Sequence, residues 1–203
     1  MSAIKRFFSN IGRHIWVYIL FGVGCSLLSI YIIDLIDKPR NEETISILVA
    51  SYDDKCQNFR DEVDKLRPDY LREIQYNTYS LLNENFDKYY SNLAYGLSDI
   101  VILPESQIVE SKVKDYYAIF TDEIKTTYFN NKEYYSLDNN DYGILIHKKG
   151  EQGDNLITYS LTSETDENYY IFFYWKSIHI GSLNETTYST AFELMQVFNN
   201  ETI

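Results

Sequence analysis

The sequence predicts one membrane-spanning helix followed by a single α/β domain whose sheet begins largely parallel and ends β-rich. Three observations carry this prediction. Residues 15–33, IWVYILFGVGCSLLSIYII, are 19 consecutive uncharged positions. Residues 44–103 spell strand, helix, strand, helix, strand, and residues 134–177 break into short apolar runs separated by turn-forming tracts.

The apolar run, continued by Asp34, Leu35 and Ile36, is long enough as a helix to cross a hydrocarbon core of about 30 Å. Lys5, Arg6 and Arg13 precede it, whereas Asp37, Glu42 and Glu43 outweigh Lys38 and Arg40 after it. The positive-inside rule then keeps the N-terminus in the cytoplasm and the rest of the chain outside the cell membrane. The expected plan is a cytoplasmic segment at 1–14, a transmembrane helix at 15–36, a linker at 37–43 and an extracellular α/β domain at 44–203. A cleaved signal peptide would have a shorter apolar region ending in small residues. Gly24-Cys25 resembles the end of a lipobox, but Gly22 stands where leucine is wanted and the apolar run continues past Cys25.

Leaving aside the three basic residues before the span, 15 Lys and Arg face 30 Asp and Glu, a net charge of −15. Such a surface repels phosphodiester backbones, so no nucleic-acid partner is expected. Only Cys56 lies outside the span, so no intramolecular disulfide can brace the exterior domain and packing must hold it.

Pro39 blocks continuation of the first helix. TISILVAS (44–51) is a β-branched run of strand length, and the helical pattern after it sets Cys56, Phe59, Val63 and Leu66 on one face before Pro68 stops it. On that stripe Cys56 reads as a buried structural thiol. EIQYNTYS (73–80) alternates, a second amphipathic stretch carries Phe86, Tyr89, Tyr90, Leu93 and Ala94 up to Gly96, and SDIVILP (98–104) is the next strand. Consecutive βαβ units of this kind make a parallel sheet, and IVIL is the continuous apolar run that a sheet covered on both faces buries.

A helix over QIVESKVKDYYAIF (107–120) and a polar one near 121–128 follow. YYSLD, YGILIHK, LITYSL and YYIFFYWKS then read as short antiparallel strands joined by NND, GEQGDN and TSETDEN. The final element, 184–199, offers Asn184 as a cap, with Ala191, Leu194, Met195 and Phe198 at helical spacing.

The order ISILVASYDDKCQNFRDEVDKLRPDYLREIQY, LSDIVILPESQI, YYAIF and YYSLDNNDYGILIHKKG resembles the first lobe of extracellular solute-binding proteins of bacterial ABC importers, especially the carbohydrate-binding group. The resemblance covers residues 44–149 and is carried chiefly by SDIVILPES. It implies a single solute-binding-protein lobe-like domain, with ligand-contacting loops after the first and third strands. Family members have two lobes that close on the ligand, and only about 50 residues follow YGILIHKKG here. A lone lobe buries less of a ligand than a cleft does.

In open α/β sheets ligands collect at the carboxyl ends of the strands. Tyr52 and Asp53 follow the first strand and Glu105 and Ser106 the third, so these four, with Trp175 where the most apolar strand runs out, are the candidate ligand-binding residues. Carboxylates accept from paired sugar hydroxyls and a tyrosine ring covers an apolar sugar face. The competing reading has Asp53 or Asp54 capping the following helix, with Gln57 completing a capping box, and Pro104–Ser106 starting the next. Twenty tyrosines supply either an interface or simply the edges of strands and helices. His147 and His179 could meet in space, but no third ligand has recognisable spacing, so neither metal nor cofactor is expected.

No G-x-S-x-G, H-E-x-x-H or glycine-rich phosphate loop is present, and the chain reads as a non-enzyme. The expected function is a membrane-anchored, solute-binding-like component working with a carbohydrate-type ABC importer, its partners being a small carbohydrate or other solute and the permease subunits. The alternative is an extracellular sensor or assembly subunit that reuses the lobe as a scaffold, since function resides in the site and not in the fold.

Overall fold

The structure, a computed structural model, describes residues 3–52, 56–84, 86–151, 165–181 and 188–199. The chain divides into two compact units, Met1–Arg40 and Asn41–Ile203.

The first unit is one helix, α1 (Ala3–Asp37), containing a single stretch, His14–Ile33, long and apolar enough to cross a membrane. Its side chains from His14 to Ile33 are all exposed. Ser26 and Ser29 donate their hydroxyls to the carbonyls of Gly22 and Cys25, each at 2.9 Å, so the helix satisfies its own polar groups, as a hydrocarbon setting demands.

The second unit is a mixed α/β domain built on six strands: β1 (Thr44–Ser51), β2 (Glu73–Ser80), β3 (Ile100–Pro104), β4 (Tyr134–Leu137), β5 (Asn140–His147) and β6 (Tyr169–Phe173). They lie in the order β2-β1-β3-β6-β5-β4. β1 pairs parallel with β2 and β3, and the remaining three pairings are antiparallel. The sheet is thus parallel only in its first half rather than largely parallel. Two features impose the change: β6 inserts between β3 and β5, running against both, and β4 joins β5 by a two-residue hairpin. That hairpin places Asp138 and Asn139 at φ 52° and 63°, the left-handed pair of a type I′ turn, which Asn and Asp tolerate best.

Period-two alternation divides the core between the two faces of the sheet. Ile45, Ile47, Val49, Ile100, Ile102, Ile171 and Phe173 face one side. There they meet Phe59 and Val63 of α2 (Gln57–Lys65), Ile124 of α5 (Asp122–Tyr128), and Phe192, Leu194 and Met195 of α6 (Thr190–Met195). Leu48, Ala50, Val101, Leu103 and Phe172 face the other side, against Phe86, Tyr90 and Ala94 of α3 (Phe86–Ala94) and Val113 of α4 (Glu110–Tyr116). Fully burying each large aliphatic or aromatic side chain contributes about 1.5–3 kcal/mol. β3 is buried along its whole length, whereas β2, on the edge, is only half-buried, and its polar alternation suits that position.

Three local expectations change. α2 starts one residue after Cys56, which is buried at φ 44° as the N-cap, and Leu66 falls beyond the helix and is exposed. The helix expected over 107–120 is confined to α4 because Tyr117 bridges to Tyr174 and Ala118 donates its N–H to Phe173, pulling the chain into extended form beside β6. The last helix shortens to α6 plus a 3-10 turn, Gln196–Asn199, with Ala191, Leu194, Met195 and Phe198 all buried. LITYSL and Asn184 lie outside the described residues.

Candidate functional site

β1, β2, β3 and β5 run one way and β6 the other, so the carboxyl ends of β1, β3 and β5 and the amino end of β6 share one edge. The chain leaves β1 outward to β2 and returns past it to β3, which makes the gap between the ends of β1 and β3 a topological switch point. Tyr52 stands at one side of it and Glu105 and Ser106 at the other.

The approach to β6 crosses this edge as three consecutive polar residues, tied to the turn after β3 and to the end of β5. Asn168 donates its side-chain amide to Glu105 Oε2 at 2.7 Å and accepts from the backbone N–H of Lys149 at 2.8 Å, while its carbonyl receives the Glu105 N–H at 2.8 Å. Glu167 accepts the Ser106 N–H on Oε2 at 2.9 Å and the Ser106 hydroxyl on Oε1 at 3.1 Å. Tyr52 lies close enough to this carboxylate to feel its charge. Asp166 bonds His147 Nε2 at 2.9 Å and the Gly150 N–H at 2.7 Å.

The electrostatics follow from these partners. Burial first, then the Glu167 carboxylate, raises the Tyr52 phenol above its ordinary value. Asp166 is held below the usual carboxylate range by its hydrogen bonds from His147 and Gly150. Beneath them Tyr169 is wholly buried, its phenol pushed far up by burial and by the nearby Glu167 and Tyr52. Ser51 stands close enough to ease that shift, but among the described residues the Tyr169 hydroxyl meets no hydrogen bond of ordinary geometry. Tyr170 adds a ring beside Glu105, in edge contact with Tyr135 at 5.4 Å.

Of the residues expected from sequence, Tyr52, Glu105 and Ser106 come together. Asp53 lies outside the described residues. Trp175 does not join them: it follows the carboxyl end of β6, at the opposite edge, where its indole N–H donates to the Asp115 carbonyl at 3.1 Å. The reason is the reversed direction of β6, whose register sets Tyr169, not Phe173, beside Pro104. His147 and His179 are likewise separated. His179 is buried at the Trp175 edge, with Nε2 2.9 Å from the Thr44 carbonyl, an acceptor that assigns the proton to that nitrogen. Gln57 reaches forward to Asp61 at 2.7 Å, and Asp54, the cap expected to pair with it, lies outside the described residues. No group of three or more His, Cys, Asp or Glu among the described residues is placed to hold a metal ion.

No protein-family model, no curated protein and no solved structure matches this chain. The site therefore stands on its own chemistry. Among the described residues neither Glu105 nor Glu167 forms an ion pair with a lysine or arginine. Two carboxylates that meet only neutral donors among the described residues, beside tyrosine rings, can accept several hydrogen bonds from a polyhydroxyl group. Asp166, Glu167 and Asn168 were absent from the sequence candidates. The available signal was an acidic, turn-like tract set directly against the most apolar strand.

Proposed function

We propose that this chain is a membrane-anchored, solute-binding-like component of a carbohydrate-type ABC importer, its globular unit extracellular and its N-terminus cytoplasmic. The observation that carries the reading is the meeting of Tyr52, Glu105, Ser106, Glu167 and Asn168 at the switch point of a sheet whose first half is parallel. Carboxylates and a side-chain amide would grip the hydroxyls of a small sugar, with Tyr52 or Tyr170 against its apolar face. The span at His14–Ile33 would hold the domain at the membrane, and the basic residues before it favour the stated orientation.

The test is mild-detergent extraction of the full-length protein from its native membrane. The copurifying proteins are then identified, and binding to a panel of mono- and oligosaccharides is measured by calorimetry. Recovery of a permease pair together with saccharide binding that Glu105→Gln weakens supports the reading. Unrelated partners and no saccharide heat would sink it.

One observation favours a second reading, an extracellular sensor or assembly subunit. The polar groups of the site already bond one another, so a ligand must compete with made hydrogen bonds, whereas a protein partner can cover them intact. Capture of a non-transport partner, unaffected by Glu105→Gln, is the outcome expected on that reading.

A further inference from the structure

The two carboxylates of the candidate site are not equivalent. Period-two alternation sends Tyr169 to one face of the sheet and Tyr170 to the other. Glu105 lies near Tyr170 and Tyr135, whereas Glu167 lies near Tyr169 and Tyr52. The Glu167 side also holds an unmade hydrogen bond. Tyr169 is wholly buried, and among the described residues its hydroxyl has no hydrogen-bond partner of ordinary geometry. A buried phenol ordinarily finds a partner, because leaving it without one costs free energy. This hydroxyl is close enough to Glu167 and Tyr52 to feel both, so the missing partner belongs to the site. Charge is unbalanced there too. Among the described residues no lysine or arginine forms an ion pair with Glu167. The lysines that follow β5 serve other carboxylates: Lys148 bonds Glu133 at 2.9 Å, and Lys149 lies near Asp166. The net charge of −12 on the whole chain draws cations toward such a place.

We propose that Glu167, Tyr169 and Tyr52 form a subsite for a primary ammonium group, and that the solute is a sugar carrying a free amine. The proposal rests on the saccharide reading of this edge and narrows it to amino sugars. A primary ammonium supplies what the subsite lacks, a positive charge and three N–H donors. One donor serves the Glu167 carboxylate, one the Tyr169 oxygen and one the Tyr52 oxygen. A quaternary ammonium has no N–H to give the phenols. A guanidinium forks onto both oxygens of a carboxylate, and both oxygens of Glu167 already accept from Ser106. A neutral hydroxyl leaves the charge unmet. Because Tyr169 is covered, the half-buried Tyr52 beside it turns aside as the amine enters. The sugar ring then lies across the edge toward Glu105, Asn168 and Tyr170.

Binding of glucose, glucosamine and N-acetylglucosamine to the full-length protein is measured by calorimetry in low-salt, mildly acid buffer, where a free amine is charged. N-acetylglucosamine keeps the nitrogen and loses the charge. Glucosamine is expected to bind about tenfold tighter than glucose, and N-acetylglucosamine to show no such advantage. Glu167→Gln is expected to abolish the preference for glucosamine. Tyr169→Phe, which removes one hydroxyl and keeps the ring in the core, is expected to reduce it. Glu105→Gln removes the same charge from the other face and is expected to weaken all three sugars while keeping the preference. Equal binding of glucose and glucosamine would overturn the subsite and leave the saccharide reading standing. So would a preference that survives Glu167→Gln or Tyr169→Phe unchanged, or one that vanishes in Glu105→Gln. Binding heat from none of the three sugars would overturn both.

Discussion

Glu167 receives both the backbone N–H and the hydroxyl of Ser106, at 2.9 and 3.1 Å, across 61 residues of sequence. One side chain thus clamps the end of β3 to the start of β6, with Tyr52 at the end of β1 near the same carboxylate. A carboxylate that collects a backbone N–H and a hydroxyl forms charge-assisted bonds, stronger than neutral ones.

Glu167→Gln keeps the shape of that clamp and removes its charge. The Tyr52 phenol is then expected to titrate at lower pH than in the parent, with burial still holding it above an ordinary tyrosine. Carbon-13 labelling of tyrosine, with Tyr52→Phe to assign the signal, reads the change by NMR. An unmoved titration would show that the two groups are not coupled.

Alkaline pH should destabilise the globular unit. Burial is the leading cause of the raised phenol values of Tyr76, Tyr90, Tyr117 and Tyr169. Unfolded tyrosines ionise near pH 10. Above that pH the unfolded chain sheds protons that the folded one keeps, so the contribution of these tyrosines is constant below about pH 10 and falls as pH rises toward the folded values. Urea midpoints at pH 7 and pH 11 should differ in that direction, and tyrosinate absorbance should rise in step with unfolding. Equal midpoints would contradict the assignment.

Gly143 has no room for a side chain. A β-carbon there would stand 2.6 Å from the ring of Phe172, which is fully buried and stacked on Tyr117 at 4.8 Å. Gly143→Ala should therefore cost about 1–3 kcal/mol through overpacking, seen as an earlier denaturant midpoint. Gly150→Ser, on an exposed turn with open space, serves as the comparison: its cost comes from the positive φ of that residue rather than from any clash.

Asp99 holds the edge opposite the site together. It accepts the Ser46 N–H at 2.8 Å and the Ser177 hydroxyl at 2.6 Å. Asp99→Ala leaves a part-buried strand N–H without that acceptor and should cost about 1–3 kcal/mol. Asp99→Asn, which keeps one acceptor oxygen, should cost less. Amide exchange at Ser46 in the two variants separates the cases, and equal protection would refute the role.

Much of the architecture is legible in local patterns because burial follows periodicity. IVIL at 100–103 is buried at every position, as a strand covered on both faces must be, and Phe59 and Val63, one helical turn apart, both enter the core. The site is legible in part: the rule that ligands gather at carboxyl ends singled out Tyr52, Glu105 and Ser106 without knowledge of any contact. It could not supply Glu167 and Asn168, because a turn-like tract has no periodicity from which to read direction.

The sequence by itself determined the apolar length of α1, the strands of residues 44–147 and most of their helices, though not the extended run after α4, and the need for a core without a disulfide. These depend on neighbours within a few residues, where side-chain spacing and backbone preference decide. Only the tertiary structure decided that β6 runs antiparallel between β3 and β5. Strand direction is set by which partners satisfy the ladder hydrogen bonds and by which faces must be covered, and both are non-local. That one reversal moved Trp175 away from the site and brought Glu167 and Asn168 into it.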